Sequence, residues 1–238
     1  MNVRIFDDAA RTSRAVARLI ARQLELQPAS VLGLPTGRTS VAVYKELVRL
    51  APDFSRARTF NLDEFVGMPA QHRRSFHAFM DRHLFRRVNL PRGRGHFLDG
   101  DARDLDAECA RFERAIAAAG GIDLLVLGIG ANGHIGFNEP GKALFARTHR
   151  ARLTAATRRA NAGLFAGRPS KVPREALSMG MGTILAARAI VLIATGRSKA
   201  RAINAMFSGR ITPTVPASFL QLHQDTTLVL DRAASQGL

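Results

Sequence analysis

Asp123-Leu124-Leu125-Val126-Leu127-Gly128-Ile129-Gly130-Ala131-Asn132-Gly133-His134-Ile135-Gly136-Phe137-Asn138-Glu139-Pro140-Gly141 is the stretch whose reading decides the fold. It opens on the run Ile122–Leu127, apolar but for Asp123 and bounded by glycines. The run is continuous rather than alternating, so both faces of the strand are expected to be covered, as in a parallel sheet with helices on either side. Working outward, Val3–Phe6, Ser30–Leu34, Thr59–Leu62, Ala189–Ala194 and Thr227–Leu230 read as further strands. Between them lie amphipathic stretches. Ala9–Leu26 carries Val16, Leu19, Ile20 and Leu24 on one face, and Ser40–Leu50 carries Val43, Tyr44, Leu47 and Val48. Ser75–Phe85, Ala102–Ala119 (with Asp101 as its N-cap) and Ser198–Phe207 also read as helices, and residues 86–100 as a loop. Strands alternating with helices predict an α/β fold: an open, mostly parallel sheet with helices on both faces. No low-complexity linker or internal repeat divides the chain, so residues 1–238 are expected to form a single domain. In such sheets ligands lie beyond the carboxyl ends of the strands, which directs attention to the polar clusters that follow the apolar runs.

Within the opening stretch, Gly128, Gly130 and Gly133 have the spacing of a dinucleotide fingerprint. The context does not fit. Pro140 stands where the helix would run, and no acid occurs from Pro140 to Arg174 to bind a ribose. What remains is a Gly-rich loop presenting Asn132, His134 and Glu139. An imidazole flanked by an amide and a carboxylate suits a positioned acid–base group, one ring nitrogen toward substrate and the other held. No HExxH or paired cysteines accompany it, so no metal site is expected.

Two other clusters follow strands. In Pro35-Thr36-Gly37-Arg38-Thr39-Ser40 a loop runs into a helix, so backbone N–H groups, hydroxyls and one arginine form either an anion site or an ordinary capped turn. It lacks the Gly-Lys-Ser/Thr ending of a phosphate-binding P-loop. Asn61-Leu62-Asp63-Glu64 places two acids after a strand. One suits a catalytic base and the other a cap, and a plain capped loop is equally consistent.

Composition narrows the classes. The formal charge is +16, from 35 Lys and Arg against 19 Asp and Glu. The arginines are spread along the chain, Trp is absent and Tyr44 is the only tyrosine, so no nucleic-acid partner is expected; the surface suits anionic small molecules. No apolar run reaches the roughly 20 residues that cross a bilayer, and Met1–Asp8 lacks the apolar core of a secretory signal. Together with the single Cys109, read as a core residue, this makes a cytoplasmic location without membrane contact the expectation.

The segments Leu32–Ser40, Asn61–Met68, Asp123–Gly141, Val172–Leu185, Gly196–Ala200 and Phe219–His223 together resemble the glucosamine-6-phosphate deaminase (isomerase) family, whose superfamily includes 6-phosphogluconolactonase. Residues 133–141, Gly-His-Ile-Gly-Phe-Asn-Glu-Pro-Gly, are the most specific match. The resemblance implies a Rossmann-like fold and conversion of glucosamine 6-phosphate to fructose 6-phosphate and ammonia, without cofactor or metal, in amino-sugar catabolism. Galactosamine 6-phosphate deamination and lactone hydrolysis are the alternatives. It implies Asp63 as the base moving a proton between C2 and C1, and His134 as the ring-opening group held by Asn132 and Glu139. Thr36, Gly37, Arg38, Thr39 and Lys199 would bind the phosphate. Three departures stand out. Asn132 replaces an Asp common in relatives. Gly163 falls where longer relatives have a phosphate-binding Arg, a charge that Arg38 is expected to replace. Lys142, His149 and Ala151 occupy positions that serve an allosteric effector in hexameric relatives, and the sequence ends soon after Asp231. A monomer or small homo-oligomer without that activation is therefore expected.

Overall fold

The computed structural model describes residues 1–238. Its main sheet has seven parallel strands in the order β1-β10-β9-β6-β2-β3-β5: β1 Asn2–Phe6, β2 Val31–Leu34, β3 Arg58–Asn61, β5 Gly95–His96, β6 Leu124–Gly128, β9 Ala189–Ala194 and β10 Thr226–Asp231. A second, antiparallel sheet joins β4 Asp63–Phe65, β8 Glu175–Ser178 and β7 His149–Arg152.

The continuous apolar strands are explained by two cores, one on each face. Leu124 and Val126 point to the layer made by α1 Ala9–Leu26, α2 Arg38–Leu50 and α3 Phe76–His83, where Val16, Ile20, Tyr44, Leu47 and Met80 pack. Leu125 and Leu127 point to the opposite layer, with Phe112 and Ile116 of α4 Leu105–Ala118, Ile184 of α6 Met181–Leu185, and Ile203 and Met206 of α7 Ala200–Met206. The expected Rossmann-like α/β arrangement is therefore what the chain adopts. Cys109 is buried in the second layer, its thiol pushed up to about 11 by burial, consistent with a core role. No helix is long and apolar enough to cross a membrane.

Several boundaries differ from expectation. Residues 86–100 hold a two-residue edge strand, β5, which adds to β3 through backbone pairing that side-chain pattern does not reveal. The helix expected from Ala102 starts at Leu105, because Asp104 rather than Asp101 accepts the backbone N–H groups of Asp106 and Ala107. Ser75 is the N-cap of α3, not its first residue, and accepts from Ala78 N. Ser198 and Lys199 lie in a tight turn before α7, and α2 begins two residues early, at Arg38.

The strand order fixes where a ligand belongs. From β2 the chain proceeds outward through β3 to β5. From β6 it proceeds the other way, through β9 to β10. The neighbours β2 and β6 flank the reversal, so a crevice opens beyond their carboxyl ends. The loops leaving these two strands are Pro35–Gly37 and the Gly-rich stretch from Ile129.

Candidate active site

The Gly-rich loop leaves β6 and folds back on itself. Gly130 N donates to His134 O (2.8 Å), and Asn138 Nδ2 donates to Ile135 O and Met179 O (2.9 Å each). Gly130 is glycine for a spatial reason: a Cβ there would lie 2.3–2.6 Å from three atoms of the His134 ring, which packs over the bare backbone. His134 N donates to Asn132 Oδ1 (3.3 Å), and Asn132 Nδ2 donates to Glu139 Oε2 (2.9 Å). That same oxygen lies 3.7 Å from His134 Nδ1. The loop thus brings together the three residues singled out in it, with Asn132 bridging the other two. Burial lowers the pKa of His134 and Lys199 lowers it further, while Glu139 opposes both. The net direction is down, so the imidazole is neutral at pH 7.

Asp63 opens β4, immediately beyond β3, in register with Ser178 of β8. Ser178 Oγ in turn accepts from Phe137 N of the Gly-rich loop (2.9 Å), so Ser178 joins the Asp63 strand to the His134 loop. Burial, with Glu64 adding repulsion, raises the Asp63 carboxyl to about 8. The two adjacent acids have different tasks. Glu64 is 1% exposed and turns away to cap α3, accepting from Phe76 N (2.8 Å) and His77 N (3.2 Å). That leaves Asp63 as the carboxylate without a capping duty.

The loop after β2 and the turn before α7 supply the basic groups. Gly37, with φ of 120°, is the N-cap of α2 and has no capping side chain, so the first N–H groups of α2 are unclaimed by a side chain. Lys199 Nζ donates to Ile129 O (2.6 Å), which ties the turn before α7 to the Gly-rich loop. Burial lowers its pKa, and repulsion from Arg38 adds to this, so the two cations share one region. Gly163 is exposed, and nothing lies within 4 Å of where a Cβ would stand. Nearby Arg158 is committed to the carbonyls of Pro169, Ser170 and Val172.

Three supports escaped the sequence reading. Tyr44, expected only as a stripe residue, donates its hydroxyl to Pro35 O (2.5 Å) and so fixes the loop after β2. Asp231, at the end of β10, accepts from Gly196 N with both oxygens (3.0 and 2.9 Å), holding the turn that carries Lys199. Thr154 N and Oγ1 both donate to Glu139 Oε1 (3.2 Å each). Thr154 is also the N-cap of the helix that follows it, and no sequence pattern signals its bond to Glu139.

Residues 7–229 match the model of the family described as glucosamine-6-phosphate isomerases/6-phosphogluconolactonase. Among similar proteins, the glucosamine-6-phosphate deaminase of Halothermothrix orenii is 46% identical over 239 residues, covering 99% of each chain. That of Clostridium acetobutylicum is 43% identical over 242 residues and the full length of both. A monomeric glucosamine-6-phosphate deaminase of known structure superposes with a TM-score of 0.96 at 39% identity, covering 99% of each chain. A 6-phosphogluconolactonase from Thermotoga maritima, at 18% identity and a TM-score of 0.76 over 97% of this chain and 99% of its own, shares the fold. The matched residues take in both strands that flank the crevice and every loop that lines it: this chain belongs to the glucosamine-6-phosphate isomerase/6-phosphogluconolactonase family.

Proposed function

We propose that the chain deaminates and isomerises glucosamine 6-phosphate, giving fructose 6-phosphate and ammonia, by general acid–base catalysis. One observation carries the reading: Asp63, an unpaired carboxylate of raised pKa, stands opposite Ser178, whose hydroxyl accepts from the backbone of the same Gly-rich loop that presents His134. Aldose–ketose conversion needs two such groups. Neutral His134 handles the proton on the ring oxygen and opens the pyranose. Asp63 removes the proton from C2 and returns it at C1. This leaves an imine at C2, which water hydrolyses to the ketose and ammonia. Both tasks are proton transfers, so the reading invokes no cofactor or metal. Asn132 and Glu139 orient His134, the amide serving as a hydrogen-bonding bridge without charge.

The phosphate is read at the start of α2, to be held by the backbone of Gly37 and Thr39, the hydroxyls of Thr36 and Thr39, and the charges of Arg38 and Lys199. A dianion held there supplies binding energy away from the reacting carbons, which orients C1 and C2. Arg38 takes over the charge absent at Gly163. Arg38→Ala is expected to raise the KM for glucosamine 6-phosphate about tenfold with kcat changed less than about twofold, as for loss of one charge-assisted hydrogen bond to substrate. An unchanged KM in steady-state assays would remove Arg38 from the phosphate site.

The pH profile tests Asp63. Its carboxyl must be ionised to act, and burial holds it protonated below about 8. The value of kcat/KM is therefore expected to climb with pH through neutrality and level off above about 8. A plateau reached by pH 6 would contradict this assignment. Amino-sugar catabolism, a cytoplasmic location and a monomer or small homo-oligomer complete the proposal. The test is ammonia release from glucosamine 6-phosphate, with galactosamine 6-phosphate in parallel. Ammonia and fructose 6-phosphate in equal amounts support the reading, and folded protein that releases neither refutes it.

A further inference from the structure

At the end of β3 the chain leaves one sheet for the other. Asn61 is the last residue of β3, Leu62 alone makes the crossing, and Asp63 opens β4. Asn61 stands in register with Leu34, the last residue of β2, so it lies between the strand that feeds the α2 loop and the residue read as the base. It is 0% exposed, and its Nδ2 donates to Leu34 O (3.1 Å). The next carbonyl, Pro35 O, accepts from the hydroxyl of Tyr44, which is 1% exposed. Two buried side chains therefore hold two successive carbonyls where β2 becomes the loop, one from the Asp63 side and one from α2. Burial raises the pKa of the Tyr44 hydroxyl, Ser40 opposes the rise and the Asp63 charge adds to it, so Tyr44 and Asp63 share one region. On the other side of Asn61, Leu62 O accepts from Met179 N (2.8 Å) and Met179 O accepts from Asn138 Nδ2 (2.9 Å), which carries the series of bonds on to the Gly-rich loop.

Stability does not account for an asparagine at residue 61. Its Oδ1 is buried and accepts from no protein group, an arrangement that costs folding free energy. Leucine would fill a similar space without that cost. What asparagine adds is the bond to Leu34 O. We propose that Asn61 and Tyr44 form a clamp on the end of β2 that fixes the span between the phosphate loop and the Asp63 carboxylate. A substrate anchored by its phosphate then presents C2 at a set distance from the base, and a small change in that span is costly to the rate. The proposal rests on the reading of Asp63 as the base and of the start of α2 as the phosphate site. Asn61 and Tyr44 are positioning residues, acting through Asp63 and the loop.

The test is steady-state kinetics of ammonia release by the full-length protein. Asn61→Leu is expected to lower kcat about 10- to 100-fold with KM changed less than about twofold, because the loop still holds phosphate but no longer at the right distance from Asp63. Its Tm is expected to stay within about 4 °C of wild type, since the lost hydrogen bond is offset by removal of the unpaired acceptor. Tyr44→Phe, which keeps the ring packed and removes only the hydroxyl, is expected to show the same split, with kcat down about tenfold. In an Asp63→Asn background, Asn61→Leu is expected to lower the residual rate less than about twofold, because the group it positions can no longer act. A general loosening of the fold would lower both rates alike. Wild-type kcat in Asn61→Leu and Tyr44→Phe, or an equal loss from Asn61→Leu in the two backgrounds, would overturn the clamp while an inactive Asp63→Asn leaves the base assigned. Asp63→Asn at the wild-type rate would overturn the clamp and the reading of Asp63 together.

Discussion

Asp63→Asn is expected to lower the rate of ammonia release about 10³- to 10⁴-fold, the range for removing a general base, while leaving KM within about threefold. Asn keeps the shape and the hydrogen-bonding oxygen but cannot take a proton from carbon. The same substitution is expected to stabilise the fold. The native carboxyl sits near 8, far above its unfolded value, because burial and Glu64 disfavour the charge. A group raised in this way stabilises the native state fully below about pH 4, near its unfolded pKa, and that contribution is lost as pH rises through about 8. At pH 9 the wild-type protein carries the cost of an unpaired charge held partly out of water, and Asn removes it. A gain of about 2 kcal/mol, or ~4–8 °C in Tm, is expected at pH 9 and should shrink toward zero near pH 4. Thermal denaturation at the two pH values, alongside the ammonia assay, checks both halves. Lost activity without a pH-dependent stability gain would mean that Asp63 is not held protonated by its surroundings.

Lys199→Met is expected to lower kcat/KM about 300-fold, most of it in KM, as for truncating one partner of a desolvated charge pair. Met preserves the aliphatic stem, so the effect isolates the ammonium group. That group is half-buried and its pKa is lowered first by burial and then by Arg38. A phosphate dianion placed between Lys199 and the start of α2 relieves both, so Lys199 gains more from the substrate than a surface lysine would. A smaller part of the loss should appear in kcat, because Lys199 also fastens Ile129 O and thereby the strand end that leads to His134. Steady-state kinetics of Lys199→Met and Arg38→Ala together separate the roles. If Lys199→Met leaves KM unchanged, the phosphate lies elsewhere.

The sequence was most informative where one physical requirement dominated. Ala9–Leu26 and Ala189–Ala194 have the boundaries read from pattern alone, because a two-sided core demands continuous apolar strands and a single long helical stripe. The small sheet was not legible. Its strands β4, β7 and β8 are three or four residues long and include Asp63, His149, Arg150 and Glu175, so no alternation distinguishes them from loops. They form because β8 offers backbone partners on both sides, a tertiary fact. The same holds at the site. Asn132, His134 and Glu139 are close in sequence, and their loop announces them through its glycines. Tyr44, Thr157 and Asp231 contact groups 9, 23 and 35 residues away; Tyr44 read as a helix-stripe residue, and Thr157 and Asp231 fell in no expected element, until the fold brought each partner near. Asp63 and Glu64 could not be told apart by position. Their separation came from the N-terminus of α3, which claims Glu64 and leaves Asp63 unpaired.

The most direct test gives one preparation of the protein glucosamine 6-phosphate and, separately, 6-phosphogluconolactone. The account predicts equimolar ammonia and fructose 6-phosphate from the first, abolished in Asp63→Asn, and no acceleration of hydrolysis of the second. Rapid lactone hydrolysis that survives Asp63→Asn, with no ammonia from the amino sugar, would contradict it.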